Sequence, residues 1–332
     1  MDLRSGQLRQ IGSVAAVNPS FLTIHPNGRA LYAVNELETY NGSATGAVSA
    51  FAVANDSGAL TLRNQQGSGG GAPCYVSVDR SGSVALVANY LGGSVALLPI
   101  QPDGALAPAI QVVKHTGAGP HQNQATPHAH YILADPSNRF ALVADLGADR
   151  VFVYRIDLDA QSLRHVEGGD AIMRPGAGPR HLDFHPTLPL VFVANELDST
   201  VATLRFDANR GALTPLDIRS TLPAGWTGTN YVADIHIAPN GRTLYVSNRG
   251  HHSIAVFSVA GSGALALEQV VSTQGDWPRN FSFDPTGRWL LVANQRSDSI
   301  VVFGRDPESG RLTPTQQRIA LPSPVCLRFS RT

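Results

Sequence analysis

Residues 281–294 read FSFDPTGRWLLVAN, and closely similar stretches recur five more times along the chain. The others are FLTIHPNGRALYAVN (21–35), YVSVDRSGSVALVAN (75–89), YILADPSNRFALVAD (131–145), LDFHPTLPLVFVAN (182–195) and IHIAPNGRTLYVSN (235–248). Each stretch closes on Asn or Asp, and the closing residues follow one another at intervals of 46 to 56 residues. A fixed period of this size is typical of repeat architectures.

Each repeat holds four segments with the pattern of β-strands. A short alternating strand, a Pro/Asn/Gly turn and an apolar run come first, followed by a second alternating segment such as 253–259 (SIAVFSV). A Gly-x-Leu step then leads into a fourth, more polar segment. Period-two alternation between turn residues indicates strands, and four strands per repeat predict a β-propeller. A β-sandwich or barrel would explain the strands but not the fixed period.

The prediction is therefore an all-β chain, a single domain over residues 1–332 that forms a seven-bladed β-propeller of four-stranded antiparallel blades. Six blades are predicted at about 21–67, 75–116, 128–173, 180–221, 232–273 and 279–320. The seventh is expected to be shared between the termini, with a first strand at 325–329 and a fourth at 6–17. Its second and third strands are missing, so we expect a truncated start rather than a thin blade.

The composition narrows the class of protein. The 332 residues carry 25 basic and 25 acidic side chains, with no basic run, so neither nucleic acid nor an anionic membrane surface is expected as the main partner. The two cysteines, Cys74 and Cys326, form no metal or disulfide motif, and no apolar run reaches the length of a membrane span. We expect a cytoplasmic protein, although a truncated start would hide a signal peptide.

Positions at which single repeats depart from the common pattern are the candidate functional residues, because residues shared by all repeats serve the fold. The position six residues before the turn proline, or its equivalent, holds Cys74, His130, Arg180, Ala233, Arg279 and, in the C-terminal segment, Val325. The position after the closing Asn or Asp holds Glu36, Tyr90, Leu146, Glu196, Arg249 and Gln295. Antiparallel pairing should bring both positions to one mouth of the channel, and alternation should place His128 on the face of His130.

These residue types suit a charged substrate. The planar fork of arginine binds carboxylate or phosphate, and a histidine beside a carboxylate supplies a base near neutral pH. Together they favour an anionic substrate that gains or loses a proton, such as a sugar acid or its lactone. The alternative interpretation, in which the same side chains pair with one another and fill the channel, stays open.

Six short motifs resemble those of one family. They are PHAH (127–130), DLG (145–147), GPRH (178–181), NEL (195–197), SNRG (247–250) and PRNF (278–281). In this order, over essentially the whole chain, they resemble the seven-bladed lactonase family. Its best-known members are propeller-type 6-phosphogluconolactonases, and one branch contains a fungal carboxy-muconate cyclase. One departure is Asn123-Gln124, which stands where the family commonly has Arg-Gln and so removes one anion contact.

The resemblance implies an active-site group that matches the positions found from the repeats: His130 (or His128), Arg180, Glu196 and Arg279. His128, Arg249 and Glu36 are the further substrate-binding candidates. In the hypothesis that follows, Arg279 and Arg249 hold the phosphate or carboxylate of the substrate. Arg180 stabilises the oxyanion that forms when water attacks the lactone, and His130 or Glu196 takes the proton from that water.

Three functions remain as hypotheses. The first is a cofactor-independent hydrolase of a small anionic lactone, with 6-phosphogluconolactone as the expected substrate. The second is a cycloisomerase of a carboxylated muconate, in which the same base moves a proton and the arginines hold carboxylates. The third is a non-catalytic propeller that binds a ligand or a protein. The exact lactone, the identity of the base and the oligomeric state stay open at this point.

Three other patterns are interpreted structurally. The pair His128 and His130 has a spacing that suits zinc, but no third ligand stands at a matching distance, so no metal is predicted. His25 and His185 stand beside the turn proline where other repeats have Asp, and are predicted to be turn residues. Residues 67–71 (GSGGG) resemble a phosphate-binding loop, but no helix follows, which favours a flexible connection between blades.

Overall fold

A computed structural model describes residues 1–330 of the chain. Its strands form six antiparallel sheets among these residues, and in each sheet the four main strands are paired in chain order. The prediction of four-stranded antiparallel blades is thereby confirmed, and each sheet is called a blade below. The described chain divides into two compact units. The N-terminal unit comprises Gly12–Pro179 and Asp207–Leu213, and the C-terminal unit comprises Met1–Ile11, Arg180–Phe206 and Thr214–Phe329.

The N-terminal unit contains three blades. Blade 1 consists of β1 (Phe21–Ile24), β2 (Ala30–Asn35), β3 (Ala47–Val53) and β4 (Leu60–Gly67). Blade 2 consists of β5 (Pro73–Val78), β6 (Val84–Asn89), β7 (Ser94–Pro99) and β8 (Gln111–Lys114). Blade 3 consists of β9 (Ala129–Ala134), β10 (Phe140–Asp145), β11 (Arg150–Asp157) and β12 (Ser162–His165), with the short β13 (Ala171–Ile172) also paired to β11.

The C-terminal unit contains most of blade 4 and the whole of blades 5 and 6. Blade 4 consists of β14 (Pro179–Phe184), β15 (Leu190–Asn195), β16 (Thr200–Asp207) and β17 (Ala212–Ser220). Blade 5 consists of β18 (Tyr231–Ile237), β19 (Thr243–Arg249), β20 (Ser253–Val259) and β21 (Leu265–Ser272). Blade 6 consists of β22 (Pro278–Phe283), β23 (Trp289–Asn294), β24 (Ser299–Arg305) and β25 (Leu312–Ala320).

The apolar run of each repeat is the buried second strand of a blade. All six residues of β6 (VALVAN) are buried, whereas every residue of β21 and β25 after the first is exposed or half-buried. A continuous apolar run is the pattern of a strand that is covered on both faces. In the C-terminal unit the covering comes from the next blade, because Phe192 of β15 and Phe257 of β20 belong to one buried cluster with Ile235 of β18.

The closing Asn of the repeat ties its blade to the segment that enters that blade. Nδ2 of Asn89 donates to the carbonyl oxygen of Ser68 at 3.0 Å. The same bond joins Asn35 to Val17, Asn248 to Thr221 and Asn294 to Thr273. The closing residue therefore serves the fold, as its recurrence in every repeat predicts. The entering segment is packed rather than loose, since a Cβ atom on Gly70 would lie 2.8 Å from Cβ of Asn89.

His25 and His185 are confirmed as turn residues. Nδ1 of His25 accepts a hydrogen bond from the backbone N–H of Asn27 at 3.1 Å, and Nδ1 of His185 accepts from Leu188 at 2.9 Å. Asp135 makes the equivalent bonds in blade 3. An imidazole nitrogen therefore replaces a carboxylate oxygen as the acceptor that closes this turn.

The strands predicted for a terminal seventh blade are not present. Neither residues 6–17 nor residues 325–329 form a strand in the structure. Instead Leu8, Leu327 and Phe329 pack on Leu291, Ile300 and Val302 of blade 6, and Leu3 accepts a hydrogen bond from the indole of Trp289 at 2.9 Å. The physical reason is that a strand needs a partner for its backbone groups, and this repeat lacks its second and third strands.

Candidate active site

The repeat-breaking residues of the first strands lie at β-bulges. In blade 2, Pro73 pairs with Asn89 and Tyr75 pairs with Ala88, so Cys74 is the extra residue. His130 and Arg279 hold the same place in β9 and β22, where the registers shift in the same way. A bulge re-aims the side chain that it carries and interrupts the period-two alternation. The expectation that alternation alone places His128 and His130 on one face therefore does not apply here.

Arg180, Glu196 and Arg249 form one buried ionic cluster in the C-terminal unit. Nε of Arg180 and Nη2 of Arg249 each lie 2.8 Å from Oε2 of Glu196. The side chains of Arg180 and Arg249 are 2% and 6% exposed, and that of Glu196 is 16% exposed. With Arg279 they are called the arginine cluster below. The prediction that the position after the closing Asn lies beside the start of the first strand is confirmed, because Arg249 pairs with Tyr231.

The two buried arginines are also held by the backbone. Nη1 of Arg180 donates to the carbonyl oxygen of Ala233 at 2.6 Å, and Nη2 of Arg249 donates to that of Val232 at 3.0 Å. Among residues 1–330 the structure gives Nη2 of Arg180 no hydrogen-bond partner. Nη1 and Nε of this guanidinium are thus fixed, whereas the N–H donors of Nη2 remain available.

Arg279 differs from these two arginines. It is half-buried, and the described part of the chain offers its guanidinium neither a hydrogen bond nor an ion pair. Its neighbour Trp277 has φ +63° and carries the guanidinium carbon of Arg296 over its ring at 3.5 Å, with that of Arg249 at 5.4 Å. Trp277 therefore packs against two guanidinium groups beside the start of β22.

The charges of the cluster act on one another. Burial opposes ionisation of Glu196, but the positive charges of Arg249, Arg180 and Arg279 outweigh it and lower the pKa of this carboxyl. Burial, and then the charge of Arg249, lower the pKa of Arg180 to about 9, so this guanidinium is still protonated at neutral pH. Three cations then face one anion, and the cluster has an excess of positive charge.

His128 and His130 belong to the N-terminal unit, where both contact Tyr90. The ring of His128 stacks on Tyr90 with 4.4 Å between centroids, and His130 meets the same ring edge-on at 5.6 Å. Nδ1 of His128 lies 2.9 Å from the carbonyl oxygen of Tyr90. His130 is 6% exposed, and its carbonyl oxygen lies 3.5 Å from Sγ of Cys74. Cys74 is buried beneath this strand, with 4% of its surface exposed.

Glu36 is not gathered with the other candidates by any described contact of its side chain. It is half-buried at the end of β2, and its backbone N–H donates to the carbonyl oxygen of Asn18 at 3.0 Å. Among residues 1–330 no group of three or more His, Cys, Asp or Glu side chains is arranged to hold a metal ion. The same residues include no helix with the length and apolar character that a membrane span needs.

Three functional candidates were missed by the sequence reasoning. His181, Asp234 and Asn280 lie one residue after Arg180, Ala233 and Arg279, and they are joined by hydrogen bonds through Asp234. In the N-terminal unit the equivalent residues are aromatic, and the tilted rings of Phe21, Tyr75 and Tyr131 contact one another with 4.2 and 4.0 Å between centroids. Aligning the repeats at this position would have revealed the change from aromatic to polar side chains.

The repeated four-stranded antiparallel blades define an all-β propeller. The chain belongs to the family of seven-bladed β-propeller lactonases, whose family model matches residues 1–329. Among curated relatives, the 6-phosphogluconolactonase of Bacillus subtilis is 38% identical over 313 residues, which cover 94% of this chain and 87% of that protein. That of Formosa agariphila is 35% identical, with 96% and 90% covered.

Solved structures agree with this assignment. The periplasmic gluconolactonase PpgL of Pseudomonas aeruginosa superposes with a TM-score of 0.94 at 35% identity, over 99% of this chain and 93% of that one. A putative 6-phosphogluconolactonase of Bacteroides fragilis superposes with a TM-score of 0.87 at 34% identity, over 96% and 88%.

Proposed function

We propose that the chain hydrolyses a sugar lactone that carries a negative charge, and that its substrate is 6-phosphogluconolactone. The observation that supports this most directly is the excess of positive charge in the arginine cluster, together with a guanidinium of Arg279 that no described residue engages. A cluster of this kind favours a carboxylate or a phosphate. Relatives named 6-phosphogluconolactonase and gluconolactonase support the proposal that the substrate is a lactone.

In this proposal Arg279 binds the anionic group of the substrate. Arg249 is proposed to share that task through one donor. Its Nε and Nη2 donate to the carbonyl oxygens of Tyr231 and Val232, and Nη2 also lies beside Glu196. Among the described residues Nη1 has no such partner, so it is the donor that Arg249 adds beside Arg279. Glu36 and His128 remain predicted substrate-binding residues on the evidence of the repeats.

Arg180 stabilises the charge that develops during the reaction. Water adds to the lactone carbonyl carbon, a C–O bond forms, and the carbonyl oxygen becomes an oxyanion that accepts hydrogen bonds from Nη2 of Arg180. The bond from this carbon to the ring oxygen then breaks, and the ring oxygen takes up a proton to leave a hydroxyl group. Overall one water is consumed, a free carboxylic acid and a hydroxyl result, and no electrons are transferred.

His130 is the general base of the proposal. Of the two candidates, Glu196 is held ionised by two arginines through one oxygen atom, and its lowered pKa makes it a weak base. An imidazole has an ordinary pKa near neutrality, which suits removal of a proton from water. Glu196 then serves to hold Arg180 and Arg249 in place.

The test is the rate of hydrolysis of freshly prepared 6-phosphoglucono-δ-lactone above its spontaneous rate, beside unphosphorylated glucono-δ-lactone. Arg279→Ala is expected to raise KM for the phosphorylated lactone by about tenfold or more, because a charge-assisted contact is lost, and to change the unphosphorylated reaction little. The exposed Arg242 provides the matched control, since Arg242→Ala removes the same charge outside the cluster. Equal loss on both lactones would remove Arg279 from the phosphate site.

Two other outcomes separate this function from the alternatives. Turnover of a carboxylated muconate with no excess hydrolysis of either lactone would identify a cycloisomerase. Binding of the phosphorylated sugar acid without turnover of any of these compounds would identify a binding protein. We propose a cytoplasmic location together with the phosphorylated substrate. Fractionation of cells tests this location, and it is needed because the similar protein PpgL is named as periplasmic.

A further inference from the structure

A chain of hydrogen bonds leads from Arg180 into the interior of the C-terminal unit. Nη1 of Arg180 lies 3.1 Å from Nε2 of His181, and Nδ1 of His181 lies 2.8 Å from Oδ1 of Asp234. His181 and Asp234 are each about 2% exposed. Neither residue has a role in the mechanism described above.

The donors and acceptors of this chain determine the tautomer of His181. A guanidinium has only N–H donors, so Nε2 of His181 must accept from Arg180 and carry no proton. The proton of the neutral ring is then on Nδ1, where it is donated to the carboxylate of Asp234. Burial and the charge of Arg180 lower the pKa of His181 to about 3, so the ring is neutral at physiological pH.

Asp234 is itself fixed so that only one oxygen is available to His181. Its Oδ2 accepts from Nδ2 of Asn280, from the backbone N–H of Phe281 at 3.2 Å and from Nε2 of His236 at 3.1 Å. The backbone N–H of Asp234 donates to Ser247 at 3.0 Å. With Oδ2 occupied by three donors, Oδ1 alone is directed to the imidazole of His181.

We infer that Asp234 and His181 are positioning residues for lactone hydrolysis, which hold the Arg180 guanidinium in place by fixing the tautomer of the imidazole between them. This role rests on the proposed function of Arg180. The fold alone does not require such a pair, because the corresponding residues of blades 2 and 3 are Tyr75 and Tyr131, which make ring contacts instead. Polar residues occupy this position in the blade that carries Arg180 and in the two blades that follow it.

The variant Asp234→Asn tests the tautomer with almost no change in volume. An amide has one oxygen and one NH₂ group, and three donors surround the Oδ2 position, so the oxygen belongs there. The NH₂ group then faces Nδ1 of His181, which must accept and thereby moves the proton to Nε2. Two donors, Nε2 and the guanidinium of Arg180, oppose each other, and the guanidinium is displaced.

The experiment combines kinetics with NMR of protein labelled with ¹⁵N in the histidine rings, where the His181 signals are assigned by their loss in His181→Gln. The wild-type ring is expected to be protonated at Nδ1 and the Asp234→Asn ring at Nε2. For 6-phosphoglucono-δ-lactone, kcat is expected to fall by about 10–100-fold with little change in KM. Asp217→Asn is the control, because Asp217 pairs with Arg219 on β17, outside this network.

Two variants of His181 test the positioning role without changing Asp234. The side-chain oxygen of His181→Gln can accept from Arg180 at the place of Nε2, whereas His181→Leu offers no acceptor, so the Gln variant is expected to retain more of kcat. A wild-type ring protonated at Nε2 overturns the inference whatever the rates of the variants. Unchanged kcat in Asp234→Asn overturns the positioning role alone, whereas wild-type protein inactive on the lactones overturns the proposed function and this role with it.

Discussion

Nδ1 of His115, in the segment that enters blade 3, lies 2.7 Å from Oδ2 of Asp145 on β10, and both side chains are fully buried. In blade 2 the same two positions hold Ser68 and Asn89, where Nδ2 of Asn89 donates to the backbone carbonyl oxygen of Ser68. Asp145 also accepts from the backbone N–H of His128 at 2.8 Å. In blade 3 a pair of side chains thus replaces the bond between side chain and backbone that joins blade 2 to its entering segment, and it anchors the strand of the histidine motif.

This relationship predicts a coupling that a double-mutant cycle measures. His115→Ser alone leaves the Asp145 carboxylate buried without its partner, which is expected to cost about 3–5 kcal/mol of unfolding free energy. Adding Asp145→Asn restores the Ser–Asn combination of blade 2, so the double variant should be more stable than the sum of the single effects by about 1–3 kcal/mol. Urea unfolding gives the four free energies, and simple additivity would contradict a specific pair.

The carboxylate of the arginine cluster predicts a response to anions. Glu196→Gln leaves Arg180 and Arg249 buried without a counter-charge, which should lower the unfolding free energy by about 3–5 kcal/mol at low ionic strength. Added sulfate should restore the melting temperature of this variant more than that of the wild type, because it can supply the missing charge.

The control for this measurement is Glu308→Gln, at an exposed position outside the cluster. It should melt close to the wild type and gain no more from sulfate than the wild type does. A Glu196→Gln variant that matches the control in both respects would show that the carboxylate does not hold the cluster together.

The pKa of His236 predicts how stability changes in alkaline solution. Burial opposes its charge, but Asp234 and then Asp183 outweigh burial and raise the pKa to about 9. A raised pKa contributes stability that is complete below the ordinary value of about 6.5 and is lost as the pH rises through about 9. Besides these two carboxylates, Phe281 contacts the His236 ring, with 4.9 Å between centroids.

The measurement compares the melting temperatures of wild type and His236→Gln from about pH 6 to about pH 10. The wild type should lose about 2–4 °C more than the variant over this interval, because only the wild type loses the proton. Parallel curves for the two proteins would show that His236 is not charged in the folded state.

Much of the fold follows from the repeat because strand alternation and turn residues act over short distances. The predicted antiparallel strands form, and Glu196 meets Arg180 where antiparallel pairing placed them. The bulge at His130 was not predictable, since an extra residue in one strand is visible only in the register with its partner. The terminal segments failed as strands for the opposite reason, because their sequence resembles a strand but no neighbouring strand is present.

The charged residues of the site could be predicted from the sequence, but their hydrogen-bond and ion-pair partners could not. The departures at Arg180, Glu196 and Arg249 stand out against the repeat, and the structure joins all three. Sequence could not tell that Arg249 is directed to Glu196 and the backbone, because that depends on side-chain conformation. The chain of hydrogen bonds through His181 and Asp234 was missed because each residue lies one position after those that were compared between repeats. Neither residue alone indicates that it bonds to the other.

The most direct measurement is the rate of 6-phosphoglucono-δ-lactone hydrolysis by the wild type and by Arg180→Lys, which keeps the charge but lacks the planar fork. Folding of both proteins at the assay temperature is checked by circular dichroism. The account predicts a wild-type rate well above the spontaneous one. In the variant it predicts a kcat that is lower by at least about 100-fold, with KM changed little. A wild-type protein with no excess rate, or a variant with wild-type kcat, would contradict it.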